Sequence, residues 1–376
     1  MQPKAARNIS IEALRLVAVA GIAIFHTFQW AFQAACVGAV EYAPLAMFPY
    51  SGVLGFINLL GCWANEVFFM ISGYFLIASA ARAWDGGATW KSQMQRTAQR
   101  LGKVILPTTF YCLLALAWST VVSPIPDVTL NTHYWYTLGL EFIWVYAATV
   151  FMAPWFGLAK SRLSQKSYTA TVIAVGILAF VVNGYLAAMS ATSAGEFSWL
   201  QKFTSAVTYA IAFLIGGLLR DVTDAMDSDR AGALGTRSLV TVLVLNIILE
   251  GELSFTGNLT AMAVLSYKST SLISFALAAA SLLFAATRHS TSGNPRTASI
   301  IVTLSTATLG FYVMQSLTSS LWRPVFNTLL ANILVSQNSP AAICIVTGTV
   351  ISIIFALALL IIDAARSLIA RKLKRQ

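Results

Sequence analysis

Long runs of apolar residues, separated by short polar stretches, make up most of this 376-residue chain. An α-helix needs roughly 20 apolar residues to cross the hydrocarbon core of a bilayer. By that criterion the pattern predicts ten spans, near residues 12–33, 56–80, 104–122, 135–157, 168–189, 203–220, 238–256, 270–287, 298–318 and 341–363. We therefore predict an all-α, polytopic membrane protein that forms a single domain over residues 1–376.

The composition agrees with a chain that is solvated mainly by lipid. Only 10% of its residues are charged, against roughly 25% in soluble domains, and the mean hydropathy is +0.73. The four cysteines lie in or beside apolar runs, with neither a CxxC motif nor a Cys/His ligand spacing. The sequence therefore indicates no metal site and no disulfide framework.

The basic residues predict the orientation of the chain. With a cytoplasmic N-terminus, 21 of the 24 Lys and Arg residues fall on the cytoplasmic side, and only Lys202, Lys268 and Arg323 fall outside. This asymmetry follows the positive-inside rule and predicts that both termini are cytoplasmic, in a cell (inner) membrane. It also explains the net charge of +10 without nucleic acid, because the basic C-terminal tail suits anionic lipid headgroups.

Two ionisable residues of the first predicted span share one helical face. Arg15 and His26 are eleven positions apart, close to three whole turns, which corresponds to a rise of about 16 Å. Arg15 would lie at the cytoplasmic boundary, where a cation suits phosphates, and His26 deep in the membrane, where a neutral imidazole suits proton transfer. The alternative is that Arg15 reaches the headgroups and His26 is merely hydrogen-bonded inside the bundle.

A carboxylate in the second predicted span is the candidate partner of His26. Glu66 could orient and stabilise an imidazole, as the third group of a catalytic triad does. Burial without a function is the alternative for Glu66. Ser72-Gly73, further along the same span, favours close helix packing.

Three basic residues precede Pro107 on the predicted cytoplasmic side. Arg96, Arg100 and Lys103 follow i, i+4, i+7 spacing and share one helical face. Such a face could hold a polyphosphate or a nucleotide, or it could only anchor the helix at the headgroups.

Aromatic residues precede the fourth span in the segment His133–Tyr136. Trp and Tyr are common at membrane interfaces, although Trp135 could also stack on a sugar ring. The segment is therefore compatible with either a membrane belt or a carbohydrate contact.

These motifs together resemble the acyltransferase 3 family of bacterial membrane O-acyltransferases. The resemblance rests on Arg15-x10-His26, on Glu66–Tyr74, on Arg100-x-x-Lys103 before Pro107, on His133–Tyr136 followed by Pro154, and on Gly216-Gly217. The chain departs from the family at Lys103, where Arg is frequent, and at Gln315, where many members carry a histidine. A role for that late histidine therefore does not transfer to this chain.

The resemblance implies a reaction and a set of site residues. The donor would be acetyl-CoA or another acyl-CoA on the cytoplasmic side, with no metal cofactor, and the acceptor would be a hydroxyl or amino group of an envelope or lipid-linked sugar. The implied roles are general base for His26, orientation of His26 for Glu66, donor phosphate binding for Arg15, Arg96, Arg100 and Lys103, and substrate contact for Ser72, Tyr74, His133 and Trp135.

Two other functions remain compatible with the sequence. A multi-span transporter or flippase for a sugar or a lipid-linked intermediate would also have about ten spans, few charges and a buried Glu66. A receptor or assembly scaffold would need neither Arg15 nor His26. Membrane lipid is expected around the chain in every case, and an assembly of identical copies stays open.

Overall fold

The computed structural model describes residues 7–126, 128, 140–190, 198–266, 271–288, 294–336 and 340–373. Within these ranges all regular structure is helical, which confirms the predicted all-α class. One 3-10 turn, Val40–Tyr42, follows the first helix. The helices are α1 (Ile9–Cys36), α2 (Ala43–Ala46), α3 (Tyr50–Asp85), α4 (Trp90–Val121), α5 (Glu141–Arg162), α6 (Gln165–Ser190), α7 (Ser198–Ala225), α8 (Ser228–Phe255), α9 (Leu259–Ser266), α10 (Leu272–Thr287), α11 (Pro295–Ser305), α12 (Thr308–Leu317), α13 (Ser319–Ser336) and α14 (Pro340–Leu373).

Eight of these helices are long and apolar enough to cross a membrane. They are α1, α3, α4, α5, α6, α7, α8 and α14. The pair α11 and α12, which is bent by 42°, counts as a ninth if the two helices form one span. The remaining predicted span corresponds to α10, which has only 16 residues. The chain is thus polytopic, and α13 is a helix that the hydropathy pattern did not predict.

Helix α3 lies at the centre of the bundle. Its most apolar window is 78% buried, whereas no other candidate span exceeds 39%. A helix that is apolar on every side is expected in the interior rather than at the lipid boundary. From Tyr50 to Ala81 the only charged residue of α3 is Glu66, so the local sequence accounts for this position.

Glycines allow α3 and α7 to approach closely. A Cβ atom at Gly73 would overlap the carbonyl oxygen of Phe213, and a Cβ at Gly216 would overlap that of Met70. Small residues at helix crossings permit such backbone contact in membranes. The packing role that Ser72-Gly73 indicated is therefore confirmed for Gly73.

A buried ionic cluster connects α14 to α4 and α12. Asp363, with 1% of its surface exposed, accepts hydrogen bonds at 2.7 Å from both Tyr111 Oη and Arg366 Nε. Gly310 of α12 lies directly against the Asp363 side chain, and a Cβ atom would not fit there. The cluster thereby fixes α12 beside α4 and α14.

Candidate active site

A cavity of about 920 Å³ opens where several arginine-bearing helix ends converge. We call it the basic cavity. Its lining is contributed by α1, α3, α7, α8, the end of α10 and adjoining residues. Its cationic residues are Arg7, Arg15, Arg82, Arg220 and Arg288. Five guanidinium groups around one cavity favour an anionic ligand, and arginine suits phosphate because its planar fork donates two parallel hydrogen bonds.

Glu12 holds the α1 side of the basic cavity in place. Its carboxylate is 3.0 Å from Arg15 Nη1 and 4.0 Å from Arg7 Nη1. Ser305 Oγ donates a further hydrogen bond to Glu12 at 2.7 Å. One carboxylate therefore orients two arginines without neutralising the five-arginine lining.

Tyr74 belongs to the basic cavity as well. Its ring lies under the Arg220 guanidinium at 5.1 Å, and its hydroxyl is 2.9 Å from Thr223 Oγ1. Asp224 fixes Arg220 from the other side through a 2.7 Å contact. The structure thus places Tyr74, which the sequence predicts to contact substrate, beside Arg220 in the basic cavity.

The three predicted cations of α4 do not line the basic cavity. The buried face of α4 carries Gln93, Thr97 and Val104. Arg100 lies on this face of α4, is half-buried and donates a hydrogen bond to Ser79 Oγ at 3.4 Å. Arg96 and Lys103, one turn before and one turn after Arg100, are exposed. The structure therefore does not bring these three cations to the cavity that Arg15 lines, and their predicted contact with donor phosphates stays a prediction.

A smaller, apolar cavity of about 130 Å³ lies further along α1. Val19 and Ile22 line it. With Arg15 and His26 these residues follow i, i+4, i+7, i+11 spacing, so all four share one helical face. The opposite walls come from α3, α4, α5, α12 and adjoining residues, namely Phe68, Val104, Phe142, Ile143, Tyr146, Thr308, Leu309, Phe311 and Tyr312. The face predicted from the spacing of Arg15 and His26 thus borders the basic cavity at Arg15 and the apolar cavity at its middle.

Ser72 supports the wall of the apolar cavity. Its hydroxyl lies 2.8 Å from Tyr146 Oη and also donates to the backbone oxygen of Phe68 at 2.9 Å. Both Phe68 and Tyr146 line the cavity, whereas Ser72 does not. Ser72, which the sequence predicts to contact substrate, therefore holds Phe68 and Tyr146 in position at the wall of this cavity.

His26 is contacted by two polar side chains. Its Nδ1 atom lies 3.2 Å from Arg323 Nη2 in α13 and 3.3 Å from Gln29 Oε1, one turn further along α1. The sequence did not predict either partner. Arg323 was nevertheless visible as one of three basic residues on the predicted outer side.

Glu66 does not contact His26 in the described part of the chain. It is fully buried and accepts a hydrogen bond from Ser274 Oγ of α10 at 3.2 Å. The register between α1 and α3 separates the two side chains, because the α3 residue that lies against Phe25, next to His26, is Gly61. Glu66 is five residues further on, about 7 Å along the axis. The predicted Glu66–His26 pair is therefore corrected to a Glu66–Ser274 pair.

Other predicted positions are accounted for as follows. His133 and Trp135 lie outside the described residues. Gln315 is buried in α12, and its backbone oxygen accepts from Trp322 Nε1 at 3.0 Å. Among the residues that the structure describes, no group of three or more His, Cys, Asp or Glu could hold a metal ion.

The helical fold and the paired cavities define a polytopic membrane protein with an arginine-lined cavity at one end of its first helix. Comparison with protein families assigns its chemistry. Residues 8–359 match the acyltransferase 3 family, described as an acyltransferase domain. The chain belongs to this family and is a membrane acyltransferase. No curated protein and no solved structure matches the chain at a significant level.

Proposed function

We propose that this acyltransferase moves a short acyl group, most simply acetyl, from acyl-CoA to a hydroxyl of a cell-envelope sugar or a lipid-linked sugar. The observation that carries the proposal is the single face of α1 on which Arg15 borders the basic cavity, Val19 and Ile22 line the apolar cavity, and His26 follows. The rise from Arg15 to His26 is about 16 Å. That length is comparable to the reach of an extended pantetheine arm.

The basic cavity would hold the donor's phosphates. Arg15, Arg82 and Arg220 supply charge-assisted hydrogen bonds, which are about twice as strong as neutral ones. The same positively charged end is the one that the positive-inside pattern assigns to the cytoplasm, where acyl-CoA is made. Charge and sidedness therefore both favour a cytoplasmic acyl-CoA in this cavity.

The apolar cavity would receive the arm of the donor. Its aliphatic and aromatic lining, including Val19, Ile22 and Phe68, excludes water from the thioester. Exclusion of water strengthens electrostatic interactions and limits hydrolysis. A volume of about 130 Å³ accommodates a short acyl group and not a long chain.

His26 would act as the general base. Its Nε2 atom takes the proton of the acceptor hydroxyl while the hydroxyl oxygen forms a bond to the thioester carbonyl carbon. The C–S bond then breaks, and the proton passes from His26 to the departing CoA thiolate. Proton transfer by a positioned side chain typically contributes about 10²–10⁴-fold to a rate.

The test is acyl transfer by the purified chain in nanodiscs. Wild type and His26→Ala are compared with radiolabelled acetyl-CoA, using envelope glycans as acceptors, and CoA binding is measured in parallel. We expect His26→Ala to abolish transfer while CoA still binds. Equal transfer by both proteins would overturn the role of His26, and absence of CoA binding at millimolar concentration would overturn the donor assignment.

The acceptor is identified by mass spectrometry of surface glycans from cells with and without the chain. Loss of an acyl group from an envelope glycan is the expected result. Family membership favours this enzyme over the transporter and scaffold alternatives. Movement of an unmodified sugar across vesicles that contain the chain would instead support the transporter.

A further inference from the structure

The Nδ1 atom of His26 meets two partners of opposite hydrogen-bonding character. Arg323 Nη2, at 3.2 Å, can only donate. Gln29 Oε1, at 3.3 Å, can only accept. A neutral imidazole carries one N–H, so Nδ1 can satisfy either Arg323 or Gln29, but not both at once.

The choice of partner decides what the other ring nitrogen can do. When Arg323 donates to Nδ1, the ring proton is on Nε2, and Nε2 cannot accept a proton from a substrate. When Nδ1–H donates to Gln29, Nε2 carries a lone pair and can act as a base. The hydrogen bond at one ring nitrogen thus fixes the tautomer and the role of the other.

Arg323 is held at this position by its own helix. The neighbouring Trp322 is buried, donates from Nε1 to the Gln315 backbone oxygen at 3.0 Å, and has its ring centroid 5.3 Å from that of Phe355. The Arg323 guanidinium carbon lies 5.6 Å from the Trp322 ring centroid. The Trp322 contacts fix the start of α13 against α12 and α14, and they thereby hold the neighbouring Arg323 beside His26.

We propose that Arg323 is a positioning residue that sets the tautomer of His26, with Gln29 as the alternative partner. The inference rests on the proposed general-base role of His26. Without substrate, Arg323 holds the Nε2–H tautomer and keeps the base switched off. A substrate oxygen that attracts the guanidinium frees Nδ1. A water molecule then takes the Nε2 proton and delivers a proton to Nδ1, which donates to Gln29, so that Nε2 can accept the proton of the acceptor hydroxyl.

This arrangement protects the donor from water. In transfer, the acceptor oxygen bonds to the carbonyl carbon, the C–S bond breaks, and the hydroxyl proton reaches the CoA thiolate through His26. Hydrolysis is the same sequence with water in place of the acceptor. An imidazole that becomes a base only when Arg323 is engaged by substrate would activate few water molecules.

The tautomer can be measured directly by ¹⁵N NMR of histidine-labelled protein. The chain contains three histidines, and a spectrum of His26→Asn assigns the His26 signals. We expect the substrate-free wild type to show Nε2–H, Arg323→Met to show Nδ1–H because methionine cannot donate, and Arg323→Lys to keep Nε2–H because lysine also donates. Nδ1–H in the wild type, or unchanged signals in Arg323→Met, would overturn the proposal.

Kinetics provide a second readout that a purely structural role would not change. In Arg323→Met we expect the ratio of acyl-CoA hydrolysis to acyl transfer to rise on the order of tenfold, the effect of losing one charged hydrogen bond. Gln29→Leu is the matched change on the other partner, and it should lower hydrolysis and transfer together. A parallel fall of both reactions in Arg323→Met would contradict the proposal.

The two proposals fail in different ways. If His26→Ala transfers acyl groups normally, the general-base role is lost whatever the NMR spectra show. If His26→Ala is inactive but the tautomer does not respond to Arg323, only the role of Arg323 is lost. A monodisperse elution profile of each variant separates both results from misfolding, and Arg323→Leu, which also lacks a donor, keeps the tautomer test available if Arg323→Met does not fold.

Discussion

Gly73 of α3 lies directly against the backbone carbonyl of Phe213 in α7, with no room for a Cβ atom. Phe213 is fully buried, and Ser72 and Tyr74 on either side of Gly73 are buried as well. The contact keeps α3 and α7 closer than side chains would permit. It therefore fixes the distance between Tyr74, the next residue of α3, and Arg220, about two turns further along α7, which meet at the basic cavity.

Replacing Gly73 with alanine should destabilise the bundle. The added methyl group must push the two backbones apart, and overpacking of this kind costs about 1–3 kcal/mol or more. We expect a lower unfolding temperature in detergent, measured by intrinsic tryptophan fluorescence. Gly184→Ala is the matched control, because a Cβ atom there meets nothing within 4 Å. An equal unfolding temperature for the two variants would contradict the crossing geometry.

Replacing Arg82 with alanine should weaken CoA binding. Arg82 lines the basic cavity, and a hydrogen bond to a charged group contributes about 1.5–3 kcal/mol, which corresponds to roughly tenfold or more in affinity. Calorimetric titration with CoA measures the change. Arg230→Ala is the control, because the Arg230 side chain is 81% exposed and does not line the cavity. Equal losses in both variants would indicate a general charge effect instead.

Filling the apolar cavity should stop turnover without preventing CoA binding. Ile22→Trp adds bulk beside a volume of about 130 Å³, so the donor's arm would no longer fit while its phosphates could still reach the arginines. We expect loss of acyl transfer with a nearly unchanged dissociation constant for CoA. Val17→Trp, at a position of the same helix that is 57% exposed and does not line this cavity, should retain transfer. Full activity of Ile22→Trp would exclude this cavity from the donor path.

Removing the carboxylate of Asp363 should unfold part of the bundle. Asp363→Ala leaves Arg366 and Tyr111 without their common acceptor, and breaking a buried ion pair costs about 3–5 kcal/mol. The expected result is a clear decrease of the thermal midpoint, accompanied by loss of activity because α12 contributes four lining residues to the apolar cavity. Asp85→Ala, at an exposed position, should leave the midpoint nearly unchanged. A midpoint for Asp363→Ala as high as that of the control would show that the cluster contributes little.

Changing Tyr146 to phenylalanine should affect the rate more than donor affinity. The variant removes the 2.8 Å contact with Ser72, so one wall of the apolar cavity loses a fixed position, while the basic cavity is unaltered. We expect kcat to fall several-fold with an unchanged KM for acyl-CoA. Ser72→Ala, which removes the other half of the same contact, should reproduce the effect. A change in KM alone, in either variant, would contradict this assignment.

Local periodicity was sufficient to predict one face of the site. Arg15 and His26 share that face because helix geometry alone relates residues eleven positions apart. The class of fold followed from hydropathy in the same local way. In contrast, Arg82 and Arg220 join Arg15 only through the convergence of three helix ends, and no single segment of sequence contains that information.

Register between helices was the main source of error. Glu66 was paired with His26 because both are ionisable and lie in consecutive predicted spans. The packing of Gly61 against Phe25 sets α3 so that Glu66 meets Ser274 instead. The sequence does not predict the contact between Arg323 and His26. Hydropathy does not predict α13, and the basic charge of Arg323 on the predicted outer side bears only on topology.

The arginines of the basic cavity have a consequence for biogenesis. Arg7, Arg15, Arg82, Arg220 and Arg288 all belong to the basic residues that the positive-inside pattern retains on one side during insertion. A chain inserted upside down would open its cavity towards a compartment that lacks CoA. If the cavity binds acyl-CoA as proposed, substitutions that weaken donor binding there would also weaken the topology signal of the chain, so orientation in the membrane and access to the acyl donor would depend on the same five side chains.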